Sequence, residues 1–510
     1  MEESDAASFE AALEAWAGQS EDAPENSEVV IPLLRLERAY AEVARAAKEA
    51  SLEAGDRPRP NPTMHLLEHA YRLAAWLRDG ADPARPPAPG TERALVWSHP
   101  RDGTVYLRPA RDRDLLALKI VVEGHDRRAL ARTLGIEVGA VDGVVREAEQ
   151  RGLVLPGRSR LVRDGAGWPA ESSDAEVPRR LKVASSFTLQ WHITHACDLH
   201  CKHCYDRTRL AAVSFDEGVA LLDDLWAFCD RRNVRGHVCF SGGNPFFHPR
   251  MVDLYAEAVA RGFETSILGN PVSEAELDAI IDLQMPRYFQ VSLEGLEAAN
   301  DAIRGAGNFR RVLDFLDLLR ERQVPSAVML TLTRANLGEV LPLAKALDGR
   351  VDRMTFNRLA QVGEGKHLLA APIEAYAPFL REYLEARRDL PHLRLKDNLF
   401  NILLAERGEP LMGGCTGFGC GAAFNFLAIL PTGEAYACRK FPSPVGNVLR
   451  EGLEAVYASE AAAAYRRGCR ACDGCALRPA CGGCLAVVHG SGRDPLTQRD
   501  PYCFYSAAPA

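Results

Sequence analysis

Cys197, Cys201 and Cys204 stand in the run C-D-L-H-C-K-H-C-Y, immediately after the apolar segment 187–194. Three thiolates on one short loop at a strand's end can hold a metal cluster. Iron–sulfur clusters normally take four cysteine ligands, and the next cysteine, Cys229, falls in a helix-like stretch. One iron is therefore left free to bind something else. The alternative is zinc, whose tetrahedral site needs a fourth nitrogen or sulfur. His195, His200 or His203 could supply it, although structural zinc sites are usually closed by paired C-x2-C or H-x3-H elements.

A second array holds nine cysteines in 89 residues: Cys415, Cys420, Cys438, Cys469, Cys472, Cys475, Cys481, Cys484 and Cys503. One metal cannot use them all. The five-residue gap in C-x2-C-x5-C-x2-C from Cys472 is shorter than the roughly 12 to 20 residues between the pairs of common zinc fingers. Cys229, in L-W-A-F-C, and Cys239, in H-V-C-F, read as packed apolar positions, because free cysteine behaves as a small buried hydrophobe.

The elements that must position these thiols follow a regular pattern. Strand candidates at 187–194, 237–241, 264–269, 288–293, 326–333 and 353–358 alternate with helix candidates at 214–230, 250–261, 273–283, 308–322 and 338–347. Such alternation implies parallel β-α units, which collect their chemistry at the carboxy ends of the strands. The cysteine loop follows the first strand as that rule requires. After the second strand comes Gly242-Gly243-Asn244-Pro245, where two glycines would let backbone approach a ligand closely.

Upstream, residues 1 to about 80 read as helical, with apolar positions at near-helical spacing over 31–46 and a second candidate at 66–77. The proline-rich segment 80–90 reads as a linker. Strand candidates at 93–99 and 104–109, joined through Asp102-Gly103, precede helices around 115–122, 128–134 and 138–151. Two strands and three helices suit a winged helix, whose default partner is DNA. The third helix, however, carries Glu137, Asp142, Glu147 and Glu149 against Arg146 and Arg151, a poor complement to a polyanion. Residues 158–184 read as a second linker.

At 510 residues the chain exceeds the roughly 250 to 300 at which single cores stop growing. A net charge of −8 argues against nucleic-acid binding. The acidic start Met1-Glu2-Glu3-Ser4-Asp5 lacks signal-peptide features, and no apolar run reaches the roughly 20 residues of a membrane span. The 14 cysteines thus point to metal binding in a reducing cytoplasm.

The spacing of Cys197, Cys201 and Cys204 resembles that of radical S-adenosylmethionine (SAM) enzymes. That resemblance implies a [4Fe-4S] cluster whose fourth iron binds SAM, and a six-stranded partial (β/α)6 TIM-like barrel. It also implies that Gly242, Gly243, Asn244 and Pro245 stand where the family's Gly-Gly-Glu-Pro holds the cofactor's methionine end, with Asn244 replacing the glutamate. Q-V-S-L-E-G and N-D-A-I-R-G resemble the ribose-contact and downstream arginine segments, which would set Ser292 and Glu294 on sugar hydroxyls and Arg304 on the cofactor's carboxylate.

The order C-x12-G-x4-C over Cys420, Gly433 and Cys438, with the cysteine pairs that follow, is similar to the extension called SPASM. By that resemblance Cys415, Cys420, Cys438 and Cys484 hold one auxiliary cluster, and Cys472, Cys475, Cys481 and Cys503 another. The last C-x2-C is one residue shorter than usual, and Cys469 adds an extra option. Sulfatase-type relatives place a basic aspartate where this chain has Arg439, which disfavours that chemistry.

Longer runs, among them T-F-N-R-L (355–359), K-D-N-L (396–399) and 413–426, resemble the selenobiotic-type thio(seleno)oxazole-modification maturases. Residues 90–157 resemble a PqqD-like peptide-recognition element, which pairs a leader peptide with a strand edge. The expected organisation is a helical region and linker (1–89), a winged-helix recognition element (90–157), a linker (158–184), a radical SAM barrel (185–400) and a cysteine-rich SPASM domain (401–510). The expected function is radical modification of a ribosomally made, cysteine-rich precursor peptide, with a reductant such as ferredoxin or flavodoxin and no membrane partner. The alternatives are maturation of a folded protein, such as a quinone-cofactor subunit, and a non-enzymatic metal-dependent regulator.

Overall fold

The computed structural model describes residues 27–49, 55–81, 85–169, 177–208 and 210–506. They form two compact units, 1–158 and 159–510. No helix among the described residues is long and apolar enough to cross a membrane.

In the first unit, strands β1 (Arg59–Pro60) and β5 (Val154–Leu155) pair with each other, and β2 (His65–Tyr71), β3 (Pro89–Ser98) and β4 (Val105–Pro109) form an antiparallel sheet in the order β2-β3-β4. Helices follow at Asp112–Glu123, Arg127–Leu134 and Val138–Gln150. The run Ala94-Leu95-Val96-Trp97 is buried on both faces of the sheet. Ala94 and Val96 pack against Leu33, Leu36 and Val43 of helix Ser27–Glu49, whereas Leu95 and Trp97 pack against Ala117, Leu118, Val144 and Ala148 of the later helices.

Two expectations change here. Residues 66–71 are a strand, not a helix, because the segment pairs with β3 from His65↔Val96 onward; a short helix, Leu73–Arg78, follows. Residues 27–49 share a core with β3 and β4, so no boundary falls near 89. Residues 1–26 of the expected helical region lie outside the described residues. Asp142 and Glu147 on the third helix are paired with Arg127 at 2.7 Å and Arg113 at 2.8 Å.

The second unit is a TIM-like α/β fold around a central parallel sheet. Strands β6 (Ser186–Thr194), β7 (Arg235–Gly242), β8 (Glu264–Leu268), β9 (Phe289–Ser292), β10 (Ser326–Leu332) and β11 (Arg353–Arg358) lie side by side in chain order, all parallel. The sheet does not end at β6. Strand β12 (Phe426–Ile429) adds to it in parallel, and β13 (Glu434–Tyr436) and β14 (Pro444–Asn447) follow antiparallel, giving nine strands. The cysteine-rich extension is thus built onto the first of the six parallel strands.

Alternation along β6 explains the layering. Phe187 packs against Phe228 of helix Phe215–Arg232, and Trp191 against Phe240. Thr188, Gln190, His192 and Thr194 point the other way, where Thr188 Oγ1 lies 3.1 Å from His237 Nδ1. Capping boxes at Ser214–Glu217 and Ser273–Glu276 start two of the crossover helices.

Leu36 is fully buried between helix and sheet. Leu36→Ala therefore costs about 2–5 kcal/mol in the first unit, to be read as a lowered first transition in denaturant unfolding with unchanged iron content.

Candidate active site

The cysteine loop leaves β6 at Thr194 and is clamped from three sides. Gly243 N donates to Thr194 O at 3.0 Å and Asn244 N to Ala196 O at 2.8 Å. Lys202 N donates to Ile303 O at 3.0 Å and Glu364 N to Cys204 O at 2.9 Å. A Cβ on Gly242 would lie 2.0 Å from Thr194 O, and one on Gly243 2.2 Å from Ala196 O. The two glycines thus admit the carbonyls of Thr194 and Ala196. Asn244 is buried and its Oδ1 accepts from Phe246 N, capping the short helix Pro245–Phe247.

The three thiols act on one another electrostatically, and burial pushes each of them up. Asn270, after β8, donates to Cys197 Sγ at 3.5 Å and to Asp198 Oδ1 at 2.6 Å. The residues present fit an iron–sulfur cluster with an open corner. Among the described residues no three His, Cys, Asp or Glu side chains converge as a single ion requires. His203 and His195, the candidate zinc ligands, turn to Glu294 and to Thr208 O at 2.7 and 2.9 Å.

Glu294, after β9, is fully buried. Its Oε1 takes His203 Nε2 at 2.7 Å and Arg304 Nη2 and Nε at 2.6 and 3.0 Å, and its Oε2 accepts from Thr331 N at 2.8 Å. Burial opposes ionisation, but His203, Arg304 and these hydrogen bonds outweigh it and hold the carboxyl at about 2. Glu294 is therefore an internal anchor that ties the cysteine loop to β9 and β10. Ser292 stands half-buried at the end of β9. Helix Glu297–Arg304, which carries Arg304, was absent from the expected elements.

Most cysteines of the extension neighbour one another. Cys420 feels Cys484 and Cys415, and Cys438 feels Cys484 and Cys420, burial pushing Cys420 up to about 11 and Cys438 to about 12. Cys472, Cys475, Cys481 and Cys503 line one cavity. Cys469 is buried beside Cys472, outside that cavity, with its Sγ 3.0 Å from Gln498 O. Cys229 and Cys239 are both buried. Cys239, however, shares the face of His237 and Ser241 on β7, and burial takes its thiol up to about 12.

Several positioning residues went unread in the sequence. Arg358 at the end of β11 holds Asp397 at 2.8 Å and Asp500 at 2.8 and 2.7 Å, and Asp500 Oδ2 accepts from Cys484 N at 2.9 Å. Asn398 Oδ1 accepts from Cys415 N at 2.8 Å. The runs T-F-N-R-L and K-D-N-L therefore meet in one buried ionic group. Arg163, expected in a linker, donates to Cys420 O at 2.5 Å, and burial draws its guanidinium down to about 10. Arg439, next to Cys438, pairs with Asp206 and lies 5.2 Å from the Tyr205 ring, joining the two cysteine regions.

Residues 191–347 match the radical SAM superfamily model, and residues 420–484 match that of SPASM, an iron–sulfur cluster-binding domain. The mycofactocin maturase MftC of Mycobacterium ulcerans (strain Agy99) is 30% identical over 360 residues, covering 64% of this chain and 91% of its own. The chain belongs to the radical SAM superfamily. An AdoMet-dependent heme synthase of Methanosarcina barkeri (strain Fusaro / DSM 804) is 24% identical over 349 residues, 62% of this chain and 96% of its own. In fold, the chain is similar to Streptococcus suis SuiB bound to S-adenosylmethionine, with TM-score 0.52 and 14% identity over 81% of this chain and 96% of that one. The protein is a radical SAM enzyme of SPASM type, and its cofactors are [4Fe-4S] clusters and SAM. A non-enzymatic regulator is not favoured.

Removing Arg358 would strand two carboxylates in the interior. Arg358→Met is expected to cost about 3–5 kcal/mol, seen as a lowered denaturant midpoint, and to reduce iron per chain in anaerobically purified protein.

Proposed function

We propose that this radical SAM enzyme modifies a ribosomally made, cysteine-rich precursor peptide, in the manner of a thio(seleno)oxazole-type maturase. The observation that carries the peptide reading is the extent of the fold likeness. SuiB bound to its precursor peptide SuiA covers 81% of this chain at TM-score 0.52, more than residues 159–510 alone supply. The similarity to a maturase, MftC, supports the same class. In this reading residues 90–157, within the first unit, are a winged-helix peptide-recognition element whose sheet edge receives the leader. A cysteine-rich substrate is the reading that the resemblance of residues 355–359, 396–399 and 413–426 supports.

Cys197, Cys201 and Cys204 ligate the SAM-binding cluster. Cys415, Cys420, Cys438 and Cys484 serve one auxiliary cluster, and Cys472, Cys475, Cys481 and Cys503 the other, as the two groupings of thiols support. When bound, SAM supplies on one-electron reduction a 5′-deoxyadenosyl radical able to abstract hydrogen. The chain's own part is to bind, orient and exclude water. Gly242, Gly243 and Asn244 hold the cysteine loop against β6, and Ser292 stands at the strand end where the cofactor's ribose would lie. Arg439, paired with Asp206, stands where sulfatase-type relatives place a basic aspartate, so substrate deprotonation falls to another group. Ferredoxin or flavodoxin would supply the electron, in a reducing cytoplasm.

Anaerobic protein is expected to hold about twelve irons and to form deoxyadenosine from SAM under dithionite. Cys197→Ala/Cys201→Ala/Cys204→Ala should lose about four irons and that activity. Deleting residues 1–158 should keep deoxyadenosine formation and abolish processing of a cysteine-rich precursor peptide. Unchanged processing would defeat the leader-docking reading.

A further inference from the structure

The arginine fork at position 304 is already in use. Its Nε and Nη2 both donate to Glu294 Oε1, Nη2 also lies 3.5 Å from His203 Nε2, and Nη1 faces Cys201 Sγ at 3.7 Å. The anchor beneath it is over-determined. Glu294 N donates to Asn300 Oδ1 at 3.0 Å, and Asn336 Nδ2 donates to Glu294 O at 2.9 Å. Asn300 belongs to the helix that ends at Arg304, and Ile303 of that helix accepts from Lys202 N in the cysteine loop. Helix, carboxylate and loop thus form one closed unit.

We propose that Arg304 acts on the sulfur of Cys201 and is not a clamp for the SAM carboxylate, with Glu294 and His203 as the positioning residues that aim it there. This rests on the reading that Cys201 is a ligand of the SAM-binding cluster. A guanidinium donating to a ligand sulfur favours the more negative, reduced cluster, and hydrogen bonds and charge at the sulfurs are what a protein uses to set the potential. Arg304 therefore raises the midpoint of this cluster and eases the entry of the electron. Glu294, held in turn by His203 and Thr331 N, keeps the fork from swinging away.

The test is an EPR redox titration of the holoenzyme without SAM, following the signal that changes when SAM is subsequently added. At the wild-type midpoint, Arg304→Met is expected to lower the reduced-to-oxidised ratio of that signal about tenfold, about 59 mV for a one-electron couple, with SAM affinity little changed. An unshifted midpoint overturns the proposal, and a tenfold loss of SAM affinity alongside it assigns Arg304 to the carboxylate instead. Should Arg304→Met fail to hold the cluster, Arg304→Lys keeps the charge and removes the fork, and a smaller downward shift is expected; no shift is again contrary. Glu294→Gln should alter the g-values of this signal in the wild-type background and add nothing to Arg304→Met. Unaltered g-values would remove Glu294 from the role. Were wild-type protein to give no SAM-responsive signal, the cluster assignment itself would fail, and not the role of Arg304.

Discussion

The structure depends on a steric constraint: the carbonyls of Thr194 and Ala196 occupy the space where side chains on Gly242 and Gly243 would begin. Strand β6 and the loop after β7 can touch only because both positions lack a Cβ. That contact turns a flexible three-cysteine loop into a fixed rim at the carboxy end of the sheet. Three thiols must present a defined triangle for a cluster to bind with one corner open. Backbone hydrogen bonds from Gly243, Asn244, Lys202 and Glu364 supply that definition without using any cysteine side chain.

Charge does the remaining positioning. Burying an ion is costly unless it is paired, and both buried groups here are paired. Glu294 ties β9 and β10 to the cysteine loop through His203 and Arg304. Arg358 ties β11 to Asp397 and Asp500, and Asp500 takes the amide of Cys484. Each group joins a barrel strand to a thiol-bearing loop. The extension is continuous with the barrel through β12 as well, so the two cysteine regions share one framework, and Arg439 spans them by its pair with Asp206.

The parallel sheet was legible because short apolar runs alternate with helical stretches along the chain, and all six of its expected strands fall within about two residues of expectation. The cysteine groupings followed from family resemblance alone. What stayed hidden was long-range. Residues 66–71 carry a helix-like apolar pattern yet pair with β3, because a partner strand about 25 residues away in sequence outweighs local preference. Glu294 looked like a sugar contact since its motif does not reveal that His203, some 90 positions earlier, reaches it. Arg163 looked like linker because its partner, Cys420 O, lies 257 positions on.

Mössbauer spectroscopy of 57Fe-loaded protein, with and without SAM, tests the open cluster corner most directly. One iron of about twelve should change its isomer shift on SAM addition, and the change should vanish in the Cys201→Ala protein. A spectrum untouched by SAM, with iron content normal, would contradict the account.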